Sequence, residues 1–246
     1  MRPQSKTFPH ALATMLLLAP LAAAQVATSA TELTLNGSAR ILTGPNGGSA
    51  ILLTPAQASQ AGSAFTTNSF VFGPRYLFST FFQFQMTDPG PAGASDGMAF
   101  VIQTQNANAL GAGGGELGYT GITPSVAVEF DTWQNPFDIN DNHVAILTNG
   151  EMNDLDPQTP YGVTNCQPTG AFGCMSNGDT LSGWIDNDGA SLHVAVADNS
   201  TTHPANLISY PIDIPGLLGQ SSAFVGFTAG TGAGWENHLV ANWQFH

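Results

Sequence analysis

The chain reads as an all-β protein, a large sandwich of antiparallel sheets, on three observations. It is rich in turn formers, with 28 Gly and 16 Pro in 246 residues, and beyond the first 24 residues no uninterrupted stretch carries a helical period. Short runs alternate apolar and polar side chains, the period of a strand with one face on a core. Roughly 220 residues follow residue 24, enough for one sizeable core, and no long linker or charge block divides them. One domain over 25–246, with its core from about residue 31, is the simplest organisation.

Taken in order, the first element stands outside the fold. Arg2 and Lys6 give a basic start, Ala11 to Leu21 an apolar run, and Ala22-Ala23-Ala24 a small-residue cleavage site. This predicts a secretory signal peptide over residues 1–24, cleaved after Ala24 or as late as Ala30, and a secreted, periplasmic or extracellular product. The run is shorter than the roughly 20 residues of a membrane span and is broken by Pro20, so no membrane insertion is expected. The first strand with a clear period is Phe78 to Met86, where Phe78, Phe82 and Phe84 point to sandwich core rather than to a ligand groove. Met98, Phe100 and Ile102 mark the next. Further strands are predicted at Val126 to Asp131, Val144 to Leu147, Trp184 to Asp186, Leu192 to Val196, Ala223 to Ala229 and Leu239 to Phe245.

Charge narrows the partners. Without the signal, only Arg40 and Arg75 stand against 17 acidic side chains. Nucleic-acid binding needs a basic footprint that is absent, and an anionic membrane surface is equally unattractive. The partners are neutral, or cations. Cys166 and Cys174, the only cysteines, flank a Pro- and Gly-containing loop, and export predicts a local disulfide between them. No neighbouring Cys or His cluster completes a tetrahedral metal site instead.

The densest chemistry lies between Val126 and His143. Val126, Val128 and Phe130 share one strand face, so Glu129 and Asp131 project together from the other. Two ionised carboxylates that close repel unless a proton or a cation lies between them. Asn135, Asp138, Asp141 and His143 follow; oxygen donors suit Ca2+ and an imidazole suits a transition metal. Asp138-Ile139-Asn140-Asp141 is no EF-hand loop, because His143 takes the position of the obligatory glycine and no amphipathic helices flank it.

Together with Asp96-Gly97-Met98-Ala99-Phe100, the loop Gly113-Gly114-Gly115-Glu116-Leu117-Gly118, Val126 to Trp133, Trp184 to Gly189, Val225 to Ala229 and Asn237 to Phe245, this segment resembles the L-type lectin domain of legume lectins and related secreted bacterial proteins. The resemblance covers most of residues 31–246. It implies a concanavalin A-like jelly-roll of two large antiparallel sheets and a carbohydrate or glycoconjugate as partner. It further implies that Glu129, Asp131, Asp138 and His143 hold Mn2+ or another transition metal, and that Asp131, the Trp133 carbonyl, Asn135 and Asp138 hold Ca2+. Asp141 competes with Asp138 for the shared position, and the spacing favours Asp138. The implied sugar site joins Asp96, after a cis peptide from Ser95, with Gly115 and Asn135; Trp133, Phe137 and Trp235 are candidates for stacking. The preferred sugar and the order of any homo-oligomer are not legible.

Two other classes bear on the same residues. A related jelly-roll hydrolase pattern, Glu-x-Asp-x-x-Glu, is met here only as Glu129-x-Asp131-x-x-Gln134, and Gln134 can neither give nor take a proton. Ser182 and Ser191 lie in no nucleophile elbow, so no enzyme is expected. A calcium-binding adhesive module without a sugar site would keep the same metal residues. His193, His203, His238 and His246 read as surface or capping residues, and the pairs Asp154/Asp156 and Asp186/Asp188 as turn formers.

Overall fold

In the computed structural model, which describes residues 32–43, 48–163 and 173–246, the alternating runs are strands. The expected signal peptide and Cys166 lie outside the described residues, and with them the cleavage site and the Cys166–Cys174 bridge. In chain order the strands are β1 (Leu33–Gly37), β2 (Arg40–Thr43), β3 (Ser49–Thr54), β4 (Ala61–Thr66), β5 (Phe70–Val71), β6 (Phe78–Thr87), β7 (Gly97–Gln103), β8 (Ser125–Asp131), β9 (His143–Thr148), β10 (Tyr161–Val163), β11 (Leu181–Asn187), β12 (Ser191–Asp198), β13 (Ile208–Pro211), β14 (Ser222–Gly230) and β15 (Asn237–Phe245). A short α-helix, α1 (Ile214–Leu218), is capped by Asp213, whose side chain accepts from the Gly216 N–H. Among the described residues no helix is long and apolar enough to cross a membrane.

The strands form two antiparallel sheets. One runs β1-β4-β14-β7-β8-β9-β10, with β5 added beside β14; the other runs β13-β12-β11-β6-β15-β3-β2. In β6 the even positions Phe78, Thr80, Phe82, Phe84 and Met86 are buried and the odd ones are not, as the alternation predicts. Phe82 meets Phe84, Phe100, Phe130 and Phe227 at ring-centroid separations of 4.9–6.4 Å, so facing aromatics from both sheets fill the space between them.

The first sheet is covered on its other face as well. Every residue of β7 and β8 is buried. Ala99, Val101, Ala127 and Leu147 turn outward and pack against Phe65, Ala109, Tyr119 and Ile122, a second apolar cluster. Its covering loop, residues 104–124, is tied down by Tyr119, whose hydroxyl pairs with Ser125 Oγ at 2.9 Å and accepts from the Gly150 N–H at 3.0 Å. Glu129 and Asp131 lie on this roofed face, in line with Ala127, and both are fully buried.

Candidate metal and carbohydrate site

One end of the eight-stranded sheet gathers the polar groups. In the ladder, Gly97 at the start of β7 pairs with Asp131 at the end of β8, Asp131 with His143 at the start of β9, and Gly97 with Gly230 at the end of β14. The loops leaving these ends, 132–142 and 231–236, meet residues 112–118 of the covering loop, where the Gly114 N–H donates to the Thr231 carbonyl at 3.1 Å, around the residues singled out by sequence. Gly97 has φ +151°, and an added Cβ would stand 2.4 Å from the Phe130 carbonyl oxygen. Only glycine lets β7 begin this close to β8.

Glu129, Asp131 and His143 bring ligand atoms within 4.8 Å of one another, as do Asp138, His143 and Asp154. All five are buried. His143 Nδ1 lies 3.0 Å from the Asn140 carbonyl, which can only accept, so Nδ1 carries the hydrogen and Nε2 faces the acids. Nε2 is 3.2 Å from Glu129 Oε1 and closer still to Asp154 Oδ2. Burial alone would lower the imidazole pKa, but Asp154 and Glu129 outweigh it and push it up to about 11. Desolvation raises Glu129, and it raises Asp131 further with help from the Glu129 charge. Asp138 is raised by desolvation too, against the Asn135 backbone N–H that donates to it at 2.5 Å.

Glu129 Oε2, Asp131 Oδ2, Asp138 Oδ1 and Asp154 Oδ1 are buried without a hydrogen-bond partner. Buried carboxylate oxygens left bare in this way are strongly unfavourable, and divalent cations are the species that satisfy several at once. The donor set fits such ions: carboxylates with an imidazole for a transition metal, carboxylates with amide oxygen for calcium. Asp138 is buried toward His143, whereas Asp141 is exposed.

Beside this cluster is a second group of unmet polar atoms. The Ser95–Asp96 peptide is cis. Asp96 is nearly buried, and its Oδ2 has no partner; the Asn135 Nδ2 donor has none either. Gly115 lies against that amide, where a Cβ would come within 2.2 Å of Nδ2, and a Cβ on Gly232 would stand 3.0 Å from Asp96 Oδ2. Desolvation raises Asp96 to about 6, although His238 and the Gly232 N–H pull it down. Trp133 is 39% exposed and lies over Gly93, while the half-buried Trp235 lies over Gly90. Phe137 is half-buried.

Three residues sit otherwise than their sequence context suggests, and one of them, Asp186, is no turn former but lies within β11 with its Oδ2 3.1 Å from His203 Nε2. Asp154 is not a solvated turn former but buried against His143, with its N–H bonded to the Phe137 carbonyl at 3.0 Å. His238 is not a surface residue: it is fully buried, its Nδ1 2.6 Å from Thr54 Oγ1 and its Nε2 3.6 Å from Glu236 Oε1. Glu236 in turn accepts from Thr132 Oγ1 at 2.7 Å, behind the Asp96 peptide. Asp156 and Asp188 do cap turns, accepting from Gln158 N and from Ala190 N and Ser191 N. Gln134 is exposed while Glu129 and Asp131 are fully buried under the roof, so this Glu-x-Asp-x-x-Gln pattern presents no pair of carboxyls to flank a glycosidic bond.

An antiparallel sandwich whose eight-stranded sheet is covered on both faces, with acids and an imidazole gathered at one sheet end, has the architecture of a lectin-type domain. The legume lectin domain model matches residues 25–246, and the chain belongs to that family. An L-type lectin-domain containing receptor kinase, VIII.1 of Arabidopsis thaliana, is 32% identical over 219 residues, covering 85% of this chain and 28% of the relative. The chain thus spans little more than a quarter of that protein, and kinase chemistry lies outside the likeness. The basic winged bean lectin solved with Tn-antigen is 27% identical, with a TM-score of 0.69 over 90% of this chain and 94% of that one. Lectin I-B4 from Griffonia simplicifolia, in its metal-free form, shares the fold at 21% identity and a TM-score of 0.67, over 89% and 94%. The family is one of lectin domains, not of enzymes.

Proposed function

We propose that this chain is an exported, metal-dependent lectin whose sugar site is built by Asp96, Gly115 and Asn135 over a calcium ion. The observation that carries the reading is the pair of buried, unpartnered atoms Asp96 Oδ2 and Asn135 Nδ2, an acceptor and a donor. A sugar hydroxyl can give to the first and accept from the second. Asp131, the Trp133 carbonyl, Asn135 and Asp138 would hold Ca2+, while Glu129, Asp131, Asp138 and His143 would hold Mn2+ or a similar ion. Bound there, the cations would supply positive charge to the loop 132–142, and with it hold the Asn135 amide in place. Trp133 and Trp235, on either side of the Gly90–Gly93 turn, offer apolar faces to a sugar ring.

Export follows from the segment 1–24 and agrees with a surface almost free of lysine and arginine. The decisive experiment is a glycan array run with calcium and manganese, then with chelator, and it should include the Tn-antigen glycan. Binding that needs the cations is the expected result. Cation binding with no glycan bound under any condition would make this a structural or adhesive module instead.

A further inference from the structure

The residues carried over from legume lectins to the transition-metal position are Glu129, Asp131, Asp138 and His143. Asp154 is not among them. It arrives from the loop after β9, its side chain 1% exposed, and it stands closest of all to His143 Nε2. With the Nδ1 hydrogen committed to the Asn140 carbonyl, a neutral imidazole turns a lone pair toward Glu129 Oε1 and Asp154 Oδ2. Three acceptors that face one another are stable only around something positive. One proton on Nε2 would satisfy an oxygen or two, yet Asp154 Oδ1, Glu129 Oε2, Asp131 Oδ2 and Asp138 Oδ1 would still be bare.

Charge leads the same way. The three transferred carboxylates undercompensate two divalent cations, whereas a fourth brings the set of ligands and ions to neutrality, the condition under which buried charge is least costly. The loop that carries Asp154 is also fastened to the metal loop, through the bond from its N–H to the Phe137 carbonyl. That contact holds the carboxylate in place instead of leaving it to wander in from solvent.

We propose that Asp154 is a fifth protein ligand of the transition-metal ion, closing a position that the other four donors leave to solvent. The inference rests on the metal-dependent reading given above. An ion so enclosed exchanges slowly and is bound more tightly than one with an open position.

The test uses the full chain with Co2+ as probe, which reports ligand changes in its visible spectrum. Asp154→Asn keeps the shape and removes the charge. It should weaken Co2+ binding on the order of 10- to 100-fold or more and alter the spectrum, with the circular dichroism of the fold intact. Glu129→Gln serves as the parallel arm. If both variants bind Co2+ as the unaltered chain does, the metal reading itself fails. If Glu129→Gln loses Co2+ while Asp154→Asn keeps the same affinity and spectrum, Asp154 is only a hydrogen-bond partner of protonated His143, and the inference falls. Should Asp154→Asn not fold, a crystal of the unaltered chain loaded with Zn2+ decides. A carboxylate oxygen of Asp154 at roughly 2.0–2.2 Å from the ion is expected, and an ion that the other residues hold without Asp154 overturns the inference.

Discussion

If Asp96 holds the sugar as proposed, a single proton there separates binding from silence. Asp96→Asn exchanges an anionic acceptor for a donor while keeping the shape. Charge-assisted bonds of this kind are worth roughly 1.5–3 kcal/mol, so sugar affinity should fall about tenfold to a hundredfold with cation content unchanged. Calorimetry against the glycan found on the array measures it, and undiminished affinity would move the sugar elsewhere. Acid should act in the same direction. Desolvation raises Asp96 from 3.8 to about 6 in the folded chain, so the fold prefers its neutral form. The stability this group contributes is therefore present below its unfolded pKa and is lost as pH rises through about 6, whereas sugar binding needs the anion and is gained over that range. Binding should decline as pH drops through a midpoint at or below about 6, lower when nearby calcium favours the anion; affinity flat between neutral pH and 4.5, with cation occupancy followed in parallel, would contradict this. The grouping of Glu129, Asp131, Asp138 and His143 was legible because they crowd one strand and one loop. Asp154 and His238 were not, since nothing local marks an aspartate among turn residues, or a lone histidine, as buried. His238 did leave a trace: it shares the parity of the buried Val240, two residues on along β15.

Among the elements, β6 carries the most concentrated packing. Phe82 is fully buried and touches rings from both sheets. Phe82→Ala should destabilise by about 3–5 kcal/mol, read as a lower midpoint in urea; a shift equivalent to less than 1 kcal/mol would mean that the sandwich collapses readily into the void. The alternation of β6 and β12 was readable because only one face of each meets the core. In β7 and β8 it faded, as the roof formed by residues 104–124 buries the second face too, and a loop's destination is not written in strand period. β15 shows a different limit. Its pairing with β6 shifts between Ala241 and Gln244, where Asn242 has φ +52°, so the buried parity changes from His238 and Val240 to Trp243 and Phe245. A single bulge of this sort breaks a period of two without any glycine to announce it.

For the molecule as a whole, the proposed metal site would link cations to the fold. Stripped of metal, the cluster leaves several carboxylates buried against one imidazolium, and any ion that binds only the folded state stabilises it by mass action, about 2.7 kcal/mol at a hundredfold excess over Kd. Since about 1 kcal/mol moves Tm by 2–4 °C at this size, chelator should lower Tm by roughly 5–10 °C relative to excess calcium and manganese. Identical melting in the two conditions would count against the cluster as a cation site.

The cross-strand pairing of Asp131 with His143 reaches further than binding. A ladder that slips by one residue sends every side chain to the opposite face. In β8 that would drive Glu129 and Asp131 among the phenylalanines between the sheets and lift Val128 and Phe130 out. On the proposed reading, a divalent ion could bridge β8 and β9 only when both strands are in step, so it would act as a proofreader of the ladder, favouring the correct alignment over the slipped one.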